Sequence, residues 1–449
     1  MIRSQKGEFV LRSRRIVRLA WLAVFVTVAV GPLLVVLLVE RPGFRNLATE
    51  LSLLTGVAGL SLLVVAFALP ARLQSVLSSF GIERVLLAHR LVAVIALGFV
   101  ILHLLLVFIG DPRGLLVLDL PHAPRPVWAA TTSTGALLLL VGFAVKRRKR
   151  QPRYEGWRLL HVALAVTVLV AAGLHVWWLA NLVDYPAMRF AYALLAEAAA
   201  FIAIRRWIWL PIRARRRAYV VEDVRPVSGN AVTITVRAHG HAGLPFHAGQ
   251  FAWLKIGSSP FVFEEHPFTI ASTAEHPDLK EFTIKALGDF SELLIGLRPG
   301  RRIYLDGPYG AFTFEGVRSS GFVFIAGGVG ITPMLSMLRT LADRGDQAHH
   351  ELVVGARSAS EIMARQDIEE LRSRLDLTIT EVVQSAPAGW PGELGRIDAA
   401  LLDRVLPRRS RHHDYFVCGP PGMVVAVGRH LRDRGIPPRR IHTEQFEVI

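Results

Sequence analysis

The chain has 449 residues, of which 52% are hydrophobic, and its mean hydropathy of +0.39 is too high for an ordinary water-soluble protein. Its single cysteine, Cys418, excludes an intramolecular disulfide, a cysteine zinc cluster and covalent c-type haem attachment. The formal net charge of +16 would ordinarily suggest nucleic acid as a partner. Most of the basic residues flank apolar runs, which argues against that partner.

The N-terminal half contains six apolar runs, and each has roughly the 20 residues that a helix needs to cross a bilayer. They lie at 16–39, 47–69, 85–109, 127–145, 159–180 and 187–209. The first run is too long for a signal-peptide core, and no small-residue cleavage site follows it. We therefore expect a membrane bundle of six uncleaved helices.

The distribution of Lys and Arg predicts how these helices are oriented. With the N-terminus inside, 6, 2, 7 and 6 basic residues fall in the inner segments 1–18, 70–84, 146–158 and 205–217. The outer segments carry only five, namely Arg41, Arg45, Arg113, Arg125 and Arg189. Because positively charged loops stay inside, we expect both termini in the cytoplasm. Anionic headgroups, rather than nucleic acid, explain the basic runs at 146–150 and 213–217.

The six spans contain only four histidines, in two pairs with the same separation of 14 residues. They are His89 and His103 in the third span, and His161 and His175 in the fifth. Fourteen residues turn a helix through about 1400° and rise about 21 Å, so each pair shares one face. The two spans run parallel, which places His89 level with His161 and His103 level with His175. Facing imidazoles can ligate a haem iron, so the pattern predicts two stacked b-type haems.

Two other polar residues in the spans each have two interpretations. Arg90 either pairs with a haem propionate or extends its side chain to the membrane interface. Glu197, in the sixth span, is either a protonated packing residue or part of a proton path, and we favour the packing interpretation.

After Pro211 the pattern changes from apolar spans to short strands separated by Gly and Pro. Alternating segments at 232–236, 251–256 and 281–286 predict an antiparallel β-barrel. Strands at 322–326, 351–355, 377–383 and 413–417, with helical stretches between them, predict a doubly wound α/β domain. The expected domains are a cytoplasmic N-terminus at 1–15, the membrane bundle at 16–210, a basic linker at 211–217, the barrel at 218–316 and the α/β domain at 317–449.

Two segments of the barrel suit a flavin. In the run His266-Pro267-Phe268-Thr269, the aromatic ring would stack on the flavin, the hydroxyl would bond to it and the basic group would meet phosphate. The alternative is an ordinary strand edge. In the later segment from Ile284 to Ser291, which includes Lys285, the turn at Gly288 offers free amides to a pyrophosphate where Ser291 could cap a helix.

Two glycine-rich turns follow strands of the α/β domain. One is 327–333, in which Thr332 suits a helix N-cap and glycines let a phosphate approach the backbone. The other begins Cys418-Gly419-Pro420. Ligands bind beyond the carboxyl ends of parallel strands, so both turns border the expected crevice. A buried structural role is the alternative for Cys418.

In their order and combination, these motifs make the chain resemble the ferric reductase and NADPH oxidase superfamily. That family fuses a six-helix haem domain to a ferredoxin-reductase-like flavin and nicotinamide module, and the resemblance covers about 16–449. The segment 154–158, before His161, is similar to bacterial members. The resemblance implies two haem b groups, FAD, and NADPH or NADH.

The resemblance also assigns roles to residues. The four histidines would ligate haem, and the barrel segments would bind FAD through His266, Pro267, Phe268, Thr269, Lys285, Gly288 and Ser291. The nicotinamide nucleotide would meet Gly327, Gly328, Gly330, Thr332, Cys418, Gly419 and Pro420. Phe446, in Glu444-Gln445-Phe446, would cover the flavin ring until the nicotinamide displaces it. Arg357 is a candidate phosphate contact, or else a surface arginine.

The chain departs from the animal oxidases at the outer side. Val107 stands where they carry a histidine beyond the outer haem ligand, and no arginine occurs in the outer half of the second span. These departures favour a ferric chelate over oxygen as the extracytoplasmic acceptor. A superoxide-forming oxidase, a reductase that feeds a partner protein and a haem-binding membrane sensor remain alternatives. The expected location is the cytoplasmic membrane of a bacterium, with the dehydrogenase module inside.

Overall fold

A computed structural model describes residues 2–38, 46–110, 120–150, 154–179, 184–227, 231–286, 288–406 and 412–446. The chain divides into two compact units, Arg14–Pro211 and a second unit made of Met1–Ser13 with Ile212–Ile449. Arg41, Arg45 and Arg113, which the sequence assigns to outer loops, lie outside the described residues.

The N-terminal part of the chain is helical. Its helices are α1 (Ile2–Leu38), α2 (Leu47–Ala68), α3 (Gln74–Phe80), α4 (Ile82–Gly110), α5 (Arg125–Arg150), α6 (Tyr154–Trp178) and α7 (Pro186–Ile204). The last helix continues through a π-helical turn at Arg205–Trp209 into α8 (Leu210–Arg216). Six of these helices are long and apolar enough to cross a membrane, which confirms the six predicted spans.

Helix α2 has the largest share of buried residues among the six spans. Asn46 caps its start by accepting a hydrogen bond from the Thr49 N–H at 2.8 Å. The helix ends at Ala68, two residues before Pro70, which cannot continue the backbone ladder. Helix α4 packs along it, with Gly59 of α2 against Val100 of α4.

The second unit begins with a six-stranded antiparallel sheet. Its strands are β1 (Tyr219–Pro226), β2 (Ala231–Ala238), β3 (Phe251–Ile256), β4 (His266–Thr269), β5 (Leu279–Lys285) and β6 (Arg302–Tyr309). They are arranged in the order β4-β3-β6-β1-β2-β5. Just after the edge strand β4, the Ala271 N–H donates to the Glu281 carbonyl of the other edge strand at 2.7 Å. This bond joins the two edges, as the predicted barrel requires.

The rest of this unit is a parallel sheet with helices on both faces. Its strands are β7 (Phe322–Gly327), β8 (His350–Ser358), β9 (Leu377–Ser385), β10 (Glu393–Leu394), β11 (Asp414–Gly419) and β12 (Ile441–Gln445), in the order β10-β9-β8-β7-β11-β12. Its helices are α10 (Ile331–Asp343), α11 (Arg365–Arg374), α12 (Ala399–Val405) and α13 (Pro421–Asp433), and α9 (Asp289–Ile295) belongs to the preceding sheet.

Side-chain alternation along β7 shows why the helices lie on two faces. Phe322 and Phe324 pack with residues of α10 and α11, whereas Val323 and Ile325 pack with residues of α12 and α13. The predicted doubly wound architecture is therefore confirmed.

Candidate functional site

The histidines of α4 are oriented by the backbone of α2. The His89 Nδ1 lies 2.8 Å from the Ala66 carbonyl oxygen, and the His103 Nδ1 lies 2.7 Å from the Ser52 carbonyl oxygen. The two carbonyls are 14 residues apart, like the two histidines, so one helix orients both rings. A carbonyl can only accept, so each Nδ1 carries the proton and each Nε2 keeps a lone pair for a metal.

The Ala66 carbonyl is available because of a proline. In a regular helix it would accept the N–H of the residue four positions later, which here is Pro70. Proline has no N–H, so this acceptor has no backbone donor of its own and can serve His89.

The position of His103 in α4 requires a glycine on the facing helix α2. A Cβ atom on Gly56 would lie 2.9 Å from the His103 Nδ1 and 3.0 Å from its Cε1, closer than ordinary van der Waals contact. The absent side chain lets the imidazole approach α2 and reach the Ser52 carbonyl.

One histidine of α6 faces a histidine of α4. The ring centres of His89 and His161 are 6.3 Å apart, and His161 also lies beside Trp157. In the other half of α6, the His175 Nδ1 lies 2.8 Å from the Pro126 carbonyl oxygen. With metal–nitrogen bonds of about 2 Å, two axial imidazoles place their ring centres about 6 Å apart. The separation of His89 and His161 therefore fits an iron held between them.

The predicted flavin strand is β4, which lies at the edge of its sheet. One edge of its backbone is paired with β3, and just past its end the Ala271 N–H bonds to the Glu281 carbonyl of β5. His266 stacks on Phe290 with ring centres 4.2 Å apart, and Phe268 lies parallel to the same ring at 6.2 Å. Pro267 pairs with Trp253 across the strands, and Thr269 is buried.

The helix at the predicted turn, α9, begins at Asp289 with Gly288 in the N-cap position, so Ser291 lies in its first turn and is not the N-cap that the sequence suggested. Gly288 is exposed, and a Cβ atom there would touch nothing within 4 Å. The Ser291 hydroxyl bonds to both the N–H and the carbonyl of Gly288, at 3.0 and 2.7 Å, so it caps the helix from inside its first turn. The Lys285 ammonium instead pairs with Glu361 at 3.2 Å. Leu287 lies outside the described residues.

The two glycine-rich turns of the α/β domain meet at the carboxyl ends of β7 and β11. A Cβ atom on Gly330 would lie 2.3 Å from the Cys418 carbonyl oxygen, so the turns are in direct contact. Gly327 is packed against Pro420 and Met423 in the same way. Gly328 has a φ of +57° and open space around its Cα, which suits the close approach of a ligand.

The prediction that Thr332 is an N-cap is wrong. Helix α10 begins at Ile331, with Gly330 in the N-cap position, and the Thr332 hydroxyl donates to the Val329 carbonyl at 3.0 Å. A short 3₁₀ turn at Gly328–Gly330 precedes the helix and moves the N-cap two residues earlier than the sequence suggested, from Thr332 to Gly330. The hydroxyl is buried within its own turn.

The other predicted site residues, Phe446, Arg357 and Cys418, lie near the carboxyl ends of the parallel strands and differ in their exposure to solvent. Gly419 ends β11, and its carbonyl accepts the Phe446 N–H at 3.1 Å, so Phe446 sits beside the second glycine turn. Arg357 is exposed near the end of β8. Cys418 is fully buried in the apolar cluster with Phe416, which favours the packing interpretation of its thiol.

Sequence reasoning missed the groups that hold the site. The orienting carbonyls of α2 are backbone atoms and have no side-chain signature, although Pro70 four residues after Ala66 was a usable signal. It also missed the hydrogen bonds from Ser336 and Arg339 of α10 to the carbonyls of Ser272 and Ala271, which follow β4 of the first sheet.

Comparison with known protein families assigns all three parts of the chain. Residues 55–172 match a ferric reductase like transmembrane component, residues 218–313 an FAD-binding domain, and residues 324–429 an oxidoreductase NAD-binding domain.

Individual relatives match about half of the chain. The reductase component of propane 2-monooxygenase from Rhodococcus jostii is 32% identical over 50% of this chain and 62% of its own length, which is less than two thirds. NADH-cytochrome b5 reductase 1 from Cryptococcus neoformans is 28% identical over 47% of this chain and 76% of its own length. A solved cytochrome P450 reductase from Amycolatopsis is 24% identical over 51% of this chain and 69% of its own, with a TM-score of 0.45.

Proposed function

Since this chain has the domain composition of the ferric reductase and NADPH oxidase superfamily, we propose that it carries electrons across a membrane. The electrons would pass from cytoplasmic NAD(P)H through FAD and two haem b groups to an acceptor outside. When bound, FAD accepts a hydride and releases single electrons, which haem iron can carry onward. The protein would lie in the cytoplasmic membrane of a bacterium, with the FAD- and NAD-binding domains inside.

The observation that carries the proposal is the anchoring of the histidine rings. At three of the four positions, a backbone carbonyl lies within 2.8 Å of Nδ1 and leaves Nε2 as the metal-binding nitrogen. A buried histidine used only for packing has no need to keep one nitrogen free. His89 and His161 would hold the inner haem, and His103 and His175 the outer haem, about 21 Å along the helices from it.

The residues of the second unit would bind the other two groups. The strand β4 would bind FAD, with His266, Phe268 and Thr269 as its contacts. The turn at Gly328 would admit the nucleotide phosphates to the start of α10. Phe446 would exclude water and nicotinamide from the flavin until nucleotide binding displaces it.

We infer that the outer acceptor is a ferric chelate. Reduction of bound oxygen by one electron creates an anion, which nearby cationic donors stabilise. Val107 and the arginine-free outer half of α2 supply no such donor. A bulky chelate needs no tailored pocket when it takes an electron at an exposed haem edge.

A second candidate is a reductase that feeds a partner protein. The observation in its favour is the likeness to the reductase component of propane 2-monooxygenase. This candidate predicts that electrons leave from the flavin, so variants of the haem ligands would not slow delivery to the partner.

The primary test is an anaerobic absorption spectrum of the purified protein loaded with FAD and haem. NADPH or NADH should reduce both haems. Haem that dithionite reduces but neither nucleotide reduces would refute the electron path and favour a haem-binding sensor. A protein that takes up no haem on reconstitution would refute the central assignment.

The acceptor needs a comparison of products in the same proteoliposomes. Ferrous iron release from a chelate should exceed cytochrome c reduction that superoxide dismutase suppresses. Dominant superoxide formation would overturn the preference for iron and identify an oxidase. The variant His103→Leu should abolish both products, which shows that the outer haem delivers the electrons.

A further inference from the structure

One face of helix α10 is polar although the helix is buried. Ser336, Arg339, Thr340 and Asp343 are spaced i, i+3, i+4 and i+7, so they form a single stripe. The same helix begins directly after the glycine turn that would receive the nicotinamide nucleotide.

The side chains of this stripe form hydrogen bonds with four consecutive residues, 271–274, of the first sheet domain. The Arg339 guanidinium donates to the Ala271 carbonyl at 2.9 Å, and the Ser336 hydroxyl donates to the Ser272 carbonyl at 2.9 Å. Asp343 is hydrogen-bonded to the side chain of Thr273.

Ala274, the fourth residue of this segment, is bonded to the same face of α10. The Ala274 N–H donates to the Thr340 hydroxyl at 2.9 Å. The segment 271–274 follows the flavin strand β4 after only one residue, so it cannot move independently of that strand.

Arg339 is the centre of this contact. Its side chain is 18% exposed, and it pairs with Glu281 of β5 at 2.5 Å and Asp367 of α11 at 2.9 Å. Asp367 also pairs with Arg225 of β1 at 3.1 Å. A guanidinium fork that satisfies two carboxylates and a carbonyl fixes direction as well as distance.

Close packing around this contact opposes a shift of α10 along the first sheet. The Gly249 N–H donates to the Ser336 hydroxyl at 3.3 Å, and a Cβ atom on Gly249 would lie 2.5 Å from the Met337 side chain. Phe312 and Met334 belong to one continuous buried cluster. The relation between the helix and the first sheet is therefore determined by close packing.

We propose that Ser336, Arg339 and Thr340 are positioning residues for hydride transfer, because they set the distance between the nicotinamide-binding turn and the flavin strand. The inference rests on the proposed function. A misplacement of about 1 Å can slow a reaction about 100-fold, so a contact remote from the reacting atoms can control the rate.

The test is rapid mixing of the FAD-loaded full chain with NADPH deuterated at the transferred position. Arg339→Lys keeps the charge but loses the fork, and it should slow flavin reduction by about tenfold or more. The isotope effect and the flavin–nicotinamide charge-transfer absorbance should change, whereas nucleotide affinity and FAD occupancy should stay at wild-type values. Ser336→Ala should show a smaller change in the same direction.

The matched control is Arg434→Lys. Arg434 is similarly buried, at 20% exposure, and it bonds one carbonyl and one carboxylate, those of Leu402 and Asp403, where Arg339 bonds one carbonyl and two carboxylates. Both partners lie within the α/β domain, so flavin reduction should be unchanged.

The possible failures are distinguishable. If neither nucleotide reduces the wild-type flavin, the proposed function fails and this inference fails with it. If wild-type flavin is reduced but Arg339→Lys and Ser336→Ala keep its rate and isotope effect, only the inference is overturned. Loss of FAD from Arg339→Lys with a normal rate in the loaded fraction also overturns it. Should Arg339→Lys not fold, Ser336→Ala decides the question by the same readouts.

Discussion

The close packing of Gly56 in α2 against His103 in α4 gives a quantitative prediction. Replacing Gly56 by alanine adds one carbon 2.9 Å from the His103 Nδ1, whereas ordinary contacts lie at 3.4–4 Å. The imidazole must therefore move by at least several tenths of an ångström. That movement disturbs the 2.7 Å hydrogen bond to the Ser52 carbonyl and turns Nε2 away from its position.

The expected loss of affinity for the outer haem follows from the steric contact and from the disturbed hydrogen bond. Overpacking costs about 1–3 kcal/mol, and a lost hydrogen bond costs about 1 kcal/mol. Their sum, about 2–4 kcal/mol, corresponds to a roughly 30- to 700-fold lower affinity for the outer haem at about 1.4 kcal/mol per tenfold. The inner haem at His89 should be unaffected, because its anchor is the Ala66 carbonyl.

The assay is haem content per chain, measured together with the reduced spectrum of each haem. Gly98→Ala in α4 is the control, since a Cβ atom there would touch nothing within 4 Å. Both substitutions raise helix propensity by about 1 kcal/mol, so their difference isolates the contact with His103. Two haems with unchanged spectra in Gly56→Ala would refute the reasoning.

Three further predictions concern other parts of the chain. His103→Leu should remove one haem per chain and leave the inner haem reducible by nucleotide, and loss of both haems would contradict independent sites. Phe446→Ala should strengthen nicotinamide binding and slow product release, whereas unchanged nucleotide affinity and turnover would count against a flavin lid. Burial lowers the pKa of Lys280 from 10.5 to about 7, so between these values the unfolded chain binds more protons and stability rises with pH. Lys280→Met should flatten this rise in the unfolding midpoint of the full chain, and a variant with the wild-type slope would exclude Lys280 as its source.

The sequence by itself determined the architecture and predicted which residues carry the chemistry. Hydrophobic length is a local property, and it located the six helices among the described residues that are long and apolar enough to cross a membrane. Strand alternation and glycine turns located the two sheets for the same reason. The 14-residue spacing of His89 and His103 is likewise a property of one helix, so it was readable without a fold.

Only the tertiary structure decided which groups hold those residues in place. The carbonyls that orient His89 and His103 belong to another helix, and backbone atoms have no code in the sequence. The register of α10 against the segment 271–274 depends on packing between residues more than 60 positions apart, such as Arg339 and Ala271. Thr332 shows the same limit at short range, because the turn of Gly328–Gly330 began the helix before its expected cap. Local patterns predict elements, whereas the fit between elements is set by shape and hydrogen bonding that exist only once they are packed.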